Sequence, residues 1–99
     1  MYLMMSTHVR DYDDWKTGFD KGESLRTRHG CTGHEIFRDA DDSNQLTVIL
    51  EFPSRERGQA FLADPELKER MAEAGVDSEP RTTFVNQTQR TDYRSRRAA

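Results

Sequence analysis

Two histidines are the residues of this sequence best suited to acid–base chemistry. His8 and His34 each fall in a short segment that predicts a β-strand. A histidine held on a strand beside an aromatic substrate can accept a proton near neutral pH. Both are therefore candidate catalytic residues. The more frequent role for such histidines is structural, as hydrogen-bonded groups at the rim of a sheet.

Aromatic and amide side chains supply candidates for binding a substrate. Several aromatic residues recur at helical spacing after residue 11 and could wall a pocket, although such a stripe is more often part of a core. An asparagine at the end of the last predicted strand could orient a carbonyl group or dioxygen, although it more often closes a turn. The candidate binding residues are Tyr12, Trp15, Phe19, Phe61, Met71 and Asn86.

No metal or other cofactor is predicted. His8, His29 and His34 lack the i, i+4 spacing of helical zinc ligands. Cys31 is the only cysteine, so the chain has no thiolate cluster and no internal disulfide, and a small buried side chain is its expected role. The aspartates within residues 39–42 suit a solvated turn better than a calcium loop.

Composition predicts one small domain. The chain has 99 residues, 33% of them hydrophobic, with a mean hydropathy of -0.98 and a net charge of -3. Its core is therefore thin, and a second copy is expected to bury part of the apolar surface. No segment approaches the roughly 20 apolar residues of a membrane helix, so we expect no membrane association and a cytoplasmic location.

The C-terminal residues 88–99 differ from the rest of the chain in charge. They carry four arginines against one aspartate, whereas the preceding body is acidic. An acidic body makes nucleic acid an improbable partner, because phosphate contacts need clustered basic residues. We expect this tail to be an extension in solvent or an arm that orders against a partner.

The order of predicted elements is β-α-β-β-α-β, the ferredoxin-like arrangement of an α+β fold with a four-stranded antiparallel sheet. The expected strands cover residues 2–10, 31–40, 45–52 and 79–87, and the expected helices cover residues 13–29 and 55–74. Asp13, Ser54 and Asp64 are the predicted helix N-caps. Gly18 and Gly22 weaken the first helix unless a backbone or a ligand approaches it closely there.

The strand at residues 45–52 is the predicted centre of the fold. Leu46, Val48, Leu50 and Phe52 share one face, and both faces carry apolar residues. Two helices can cover only one face of a four-stranded sheet. A face-to-face homodimer would cover the other face and avoid a large exposed apolar patch.

Three segments resemble dimeric α+β barrel proteins of the antibiotic-biosynthesis-monooxygenase type. They are the strand-to-helix run at residues 9–16 with Phe19 and Asp20, the hairpin from residues 36–38 to 50–52, and the segment at residues 60–67. The resemblance extends over about residues 2–87. It implies a domain at residues 1–87 that pairs into a dimeric α+β barrel, with residues 88–99 as a separate basic tail.

The resemblance also implies a function. Members of that superfamily hold small, often aromatic ligands between sheet and helices, and some are cofactor-free monooxygenases or polyketide cyclases. Others degrade haem with a histidine ligand on the second helix, but residues 54–75 contain no histidine, which disfavours haem. We expect a homodimer that binds an aromatic or polyketide-like molecule, with cofactor-independent oxygenation or cyclisation as its chemistry. The alternatives are a non-catalytic or stress-related binding module, and a structural dimer that docks a partner through its tail.

Overall fold

A computed structural model describes residues 1–94 of the chain. Four strands and four helices follow one another in the order β1 (Tyr2–His8), α1 (Tyr12–Lys21), α2 (Glu23–Arg28), β2 (Gly33–Arg38), β3 (Gln45–Glu51), α3 (Arg55–Ala63), α4 (Pro65–Glu73) and β4 (Arg81–Val85). None of the helices within residues 1–94 is both long enough and apolar enough to cross a membrane. The residues beyond 94, which include the last two arginines of the predicted tail, lie outside the described part.

The four strands form one antiparallel sheet in the order β2-β3-β1-β4. The two central strands are β1 and β3, paired along their full length from Tyr2 opposite Glu51 to His8 opposite Gln45. The predicted ferredoxin-like α+β fold, with the first and third strands at its centre, is therefore confirmed.

The helices cover one face of the sheet. Leu3 and Met5 on β1, and Leu46, Val48 and Leu50 on β3, point to that face and are buried. Together with residues from the helices they form a single core. The alternation of buried and half-buried residues along both strands follows from the period of two in strand side chains, and the row of Leu46, Val48 and Leu50 is the one that meets the helices.

The N-cap of the first helix lies two residues earlier than predicted. The N-cap is Asp11, whose carboxylate accepts a hydrogen bond from the amide of Asp14 at 3.0 Å. The prediction of Asp13 as N-cap is wrong, because Asp13 already lies within the first turn of α1. There its charge still favours the positive end of the helix dipole.

The predicted single helix over residues 13–29 is interrupted at Gly22, which separates α1 from α2. The chain turns out of α2 at Gly30, whose φ of +88° is a conformation that glycine adopts without strain. The other predicted helix starts are confirmed. Ser54 accepts a bond from the amide of Arg57 at 3.2 Å, and Asp64 caps α4 through the amide of Glu66 at 2.9 Å.

The second face of the sheet has no helix on it among residues 1–94. Half-buried or exposed apolar side chains lie there, with Phe37 50% exposed and Val85 36% exposed. Beside them lie Met4 and Ile49, which are directly paired across β1 and β3. We call this surface the open face. Its apolar content agrees with the shortage of helices that the sequence predicts.

Candidate functional site

A cavity of about 80 Å³ lies between the helix-covered face of the sheet and the helices. Its walls come from both central strands and all four helices, and most of the lining side chains are apolar. The lining residues are Met5, Thr7, Trp15, Gly18, Phe19, Gly22, Leu25, Arg26, Val48, Leu50, Phe61, Leu67, Arg70, Met71, Ala74 and Val76. We call this space the sheet–helix cavity.

Four of the six predicted binding residues line the sheet–helix cavity. Trp15 and Phe19 lie one helical turn apart on α1, with ring centroids 4.9 Å apart, while Phe61 and Met71 come from α3 and α4. Tyr12 packs on the other side of Trp15 and lies outside the lining. Because of their helical spacing, Trp15 and Phe19 lie on one face of α1, where they line the cavity and also pack in the core.

The glycines of the first predicted helix mark a close approach of helices. A Cβ atom added to Gly18 would lie 2.8 Å from the Cβ of Ala74, which follows α4. One added to Gly22 would lie 3.3 Å from a guanidinium nitrogen of Arg26. The absence of side chains at these two positions lets α4 pack against α1 and lets the Arg26 side chain pass under the helix junction.

Arg26 is a cavity residue that is absent from the set of site residues predicted from the sequence. Its side chain is only 7% exposed, lines the cavity and lies over the Phe19 ring, with 3.7 Å between its Cζ and the ring centroid. One guanidinium nitrogen donates to the carbonyl of Phe19 at 2.7 Å. Burial lowers the pKa of this guanidinium. One feature of the sequence points to Arg26: it lies four residues after Gly22, on the face of the predicted helix that also carries Trp15 and Phe19.

Two further polar side chains reach the cavity wall. Thr7 is 7% exposed, and its hydroxyl is the buried side-chain polar atom that lacks a hydrogen-bond partner among residues 1–94. Arg70 is already paired, donating to a carboxylate oxygen of Glu66 at 2.8 Å. No acidic residue and no histidine is among the lining residues of the cavity in the described chain. Among residues 1–94, Thr7 is therefore the group of the wall whose buried hydroxyl lacks a hydrogen-bond partner, and Arg26 is a cation of the wall that forms no ion pair.

His34 lies at the edge of the helix-covered side. It is paired with Leu50 across β2 and β3, and its ring meets the edge of the Phe19 ring at a centroid distance of 4.9 Å. Desolvation lowers the His34 pKa, and the positive charges of Arg26 and Lys16 lower it further. Its imidazole is therefore neutral at pH 7 and able to accept a proton.

His8 lies on the opposite side of the sheet. Its Nδ1 is 2.8 Å from a carboxylate oxygen of Asp77, and its Nε2 is 3.6 Å from one of Asp42. The hydrogen bond to Asp77 raises the His8 pKa. The structure does not bring the two predicted catalytic histidines together, so one site cannot use both within a single chain.

A second, wider concavity of about 470 Å³ lies on the open face. Tyr2, Met4, Glu35 and Ile49 form its floor together with residues that follow β4. Asn86 is one of these following residues, so it is separated by the sheet from the other predicted binding residues. Within residues 1–94, no group of three or more histidine, cysteine or acidic side chains is placed to hold a metal ion.

Comparison with known proteins identifies the fold. No protein-family model and no curated protein sequence matches the chain. Among solved structures, a candidate antibiotic biosynthesis monooxygenase from Bordetella bronchiseptica has a TM-score of 0.77 at 15% identity, covering 89% of this chain and 96% of its own. SnoaB, a cofactor-independent oxygenase from Streptomyces nogalater, has a TM-score of 0.68 at 19% identity, covering 88% and 93%.

A third solved structure agrees with these two. A candidate antibiotic biosynthesis monooxygenase from Caulobacter crescentus CB15 has a TM-score of 0.69 at 11% identity, covering 89% of each chain. At identities this low, the similarity concerns the backbone fold and does not extend to the chemistry of the site. Since the neighbours span nearly the whole described chain, the predicted resemblance is confirmed at the level of structure: the chain has the fold of antibiotic-biosynthesis-monooxygenase-like proteins.

Proposed function

We propose that this protein is a cofactor-independent monooxygenase that binds a small aromatic or polyketide-like molecule in the sheet–helix cavity. The observation that carries the proposal is the meeting of Trp15, Phe19, Phe61 and Met71 around one internal space. Planar rings of this kind favour an aromatic ligand by stacking and edge contacts. The fold shared with SnoaB, a cofactor-independent oxygenase, supports the same chemistry.

The size of the cavity sets a condition on binding. Ligand pockets usually enclose about 300–1,000 Å³, whereas this cavity encloses about 80 Å³. Arg70 and Met71 line it from α4 with long, flexible side chains that are only partly buried. A ligand larger than a single ring enters when these two side chains swing outward, so binding should be accompanied by rearrangement of α4 side chains.

His34 is the proposed base. His34 lies outside the cavity lining, against Phe19, so its neutral imidazole can take the proton of a substrate hydroxyl group that extends past Phe19 and leave an oxyanion that makes the substrate ring electron-rich. Oxidation of such a phenol to a quinone by dioxygen places one oxygen atom on a ring carbon and releases the other as water. The substrate supplies all four electrons, and for this reason the reaction needs no external reductant.

Oxygen consumption tests the proposal. The protein is incubated in air with hydroxynaphthalenes and hydroxyanthracenes in the presence of a chelator, and the rate without protein is subtracted. We expect protein-dependent oxygen uptake and incorporation of one ¹⁸O atom from ¹⁸O₂ into the product. His34→Gln should lower the rate by about 100-fold, the contribution of a general base. If His8→Gln lowers it instead, the reaction takes place on the open face and the proposal fails.

A non-catalytic binding module is the second candidate. Its specific support is that no acidic residue or histidine belongs to the cavity lining in the described chain, so that a ligand inside would meet no general base directly. This candidate predicts that aromatic ligands bind but that oxygen uptake stays at the protein-free rate. The two functions are therefore separated by measuring binding and turnover on the same compounds.

We also propose that a second copy of the chain covers the open face. Phe37 and Val85 expose apolar surface there, beside the half-buried pair Met4 and Ile49, which supports a self-association surface. Light scattering coupled to gel filtration should give the mass of a dimer, and Phe37→Glu should shift it toward the monomer. A monomer mass for the native chain at micromolar concentration contradicts the homodimer.

The proposed place of action is the cytoplasm. The single cysteine, Cys31, supports a reducing compartment, because chains that work in oxidising surroundings tend to carry paired cysteines. Fractionation of source cells, followed by immunodetection, should recover the protein with cytoplasmic markers. Recovery with secreted or membrane fractions would refute this location.

A further inference from the structure

We propose that the sheet–helix cavity selects an aromatic molecule that carries an anionic oxygen, with Arg26 as its counter-ion and Thr7 as a hydrogen-bond partner. This inference rests on the proposed binding function and adds the charge of the ligand to it. It concerns two residues that lie outside the set predicted from the sequence.

Arg26 is a buried cation that forms no ion pair, although the negative charges of Glu23 and Asp20 act on it from a greater distance. No carboxylate of the described residues lies within 4.0 Å of its guanidinium, although such pairs are the usual companions of a buried charge. A guanidinium has five N–H donors. Only one hydrogen bond uses them here, the bond to the Phe19 carbonyl. The remaining donors are available to an acceptor that the described chain does not supply.

The position of Arg26 suits a planar ligand. Its guanidinium lies 3.7 Å above the Phe19 ring, which fixes the orientation of the guanidinium plane at the cavity wall. Gly22 leaves room beside it, since an added Cβ there would come within 3.3 Å of the guanidinium nitrogen. The cation is therefore held in place before a ligand arrives, which reduces the entropy lost on binding.

Thr7 provides the second, independent observation. Its hydroxyl is buried in the cavity wall on β1 and lacks a partner among residues 1–94, although buried hydroxyl groups are almost always hydrogen-bonded. A ligand oxygen in the cavity would satisfy it. The cavity thus offers a neutral hydroxyl and a cation, and no acidic side chain of the described lining repels an anion.

The ligand class follows from these groups. Aromatic walls require a flat apolar body, and the unmatched donors require an oxygen acceptor with negative charge. Phenolates and aryl carboxylates share this chemistry. A phenolate is also the species that would react with dioxygen under the proposed function, so Arg26 would hold the reactive form of the substrate.

The test compares two ligands that differ only in charge. 2-Naphthoate and its neutral amide, 2-naphthamide, are titrated into the protein, and affinity is read from the indole N–H signal of Trp15, the only tryptophan in the chain. We expect 2-naphthoate to bind at least about tenfold more tightly, the effect of one charge-assisted hydrogen bond. Arg26→Met should abolish this preference, and Arg26→Lys should keep part of it.

A separate measurement tests whether phenolates bind in the cavity. 4-Nitrophenol absorbs visible light only as the phenolate, so its apparent pKa is measured with and without protein. The inference predicts a lower pKa for the bound molecule, and binding of 2-naphthoate without such a lowering assigns the site to carboxylates. Thr7→Val, which removes a hydroxyl of the same shape, should weaken binding of both anions severalfold and leave the fold intact.

Different results would overturn the charge preference and the aromatic binding function. Equal or tighter binding of 2-naphthamide in the wild-type protein overturns the charge preference, while the aromatic binding function stands. If neither compound shifts the Trp15 signal, the binding function itself fails and the inference fails with it. Both results come from the wild-type protein, so the outcome does not depend on whether an Arg26 variant folds.

Discussion

Replacing Gly18 by alanine tests whether α4 packs directly on α1. The added Cβ would lie 2.8 Å from the Cβ of Ala74, well inside the ordinary contact range that begins near 3.4 Å. Neither atom belongs to a side chain that can rotate away, so the overlap can be relieved only by moving the two helices apart. Movement of that kind would also loosen the contact that closes one side of the sheet–helix cavity.

Two opposing effects set the magnitude for Gly18→Ala. Overpacking of a close contact costs about 1–3 kcal/mol. Alanine in place of glycine within a helix raises the free energy of unfolding by about 1 kcal/mol. We therefore expect a net loss of about 1 kcal/mol in the free energy of unfolding. For a domain of this size, such a loss corresponds to a melting temperature about 4–8 °C lower.

Urea denaturation followed by circular dichroism measures this effect. Gly33→Ala is the matched control, because a Cβ there meets nothing within 4 Å and glycine is itself unfavourable in a strand. The control should be neutral or slightly stabilising. Ala74→Gly combined with Gly18→Ala should recover part of the loss. A Gly18→Ala protein as stable as the wild type would refute the close helix contact.

Three further predictions concern the histidines and a helix cap. In an NMR titration, the His8 pKa should lie above the ordinary value of 6.5 and the His34 pKa below it, and Asp77→Asn should lower the His8 value; the same direction for both would contradict their placement. The raised pKa means that His8 stabilises the fold below pH 6.5, and that this contribution is lost as the pH rises through its folded pKa. His8→Gln should accordingly destabilise more at about pH 5.5 than at about pH 8.5, as unfolding curves at both pH values would show. Ser54→Ala should cost about 1 kcal/mol in urea denaturation by removing the cap on the Arg57 amide, and an unchanged midpoint would refute the cap.

Most of the fold could be predicted because it follows from local patterns. Strand alternation places Leu46, Val48 and Leu50 on one face without saying which face meets the helices, and cap chemistry predicts Ser54 and Asp64 as helix starts. The cap of α1 was misplaced because four consecutive residues from 11 to 14 include three aspartates, and any of them can accept a bond from a helix amide. The true cap depends on where the chain leaves β1, which is set by tertiary contacts.

The site was harder to predict, since it depends on which faces meet. The sequence predicts Trp15, Phe19, Phe61 and Met71 as residues that could wall a pocket, and the structure brings them together in one cavity. Periodicity alone did not assign Arg26 to the buried face, because Leu25 and Arg26 both fit the helical stripe and both are buried. The chain breaks at Gly22 between α1 and α2, so a single 3.6-residue pattern does not run through both helices.

A crystal structure of the protein with 2-naphthoate tests the central claim most directly. The claim is that the ligand site lies between the sheet and the helices. We predict density for the naphthalene ring in the cavity beside Trp15 and Phe19, with the carboxylate at hydrogen-bond distance from Arg26. Density on the open face beside Met4 and Ile49, with the sheet–helix cavity unchanged, would contradict it.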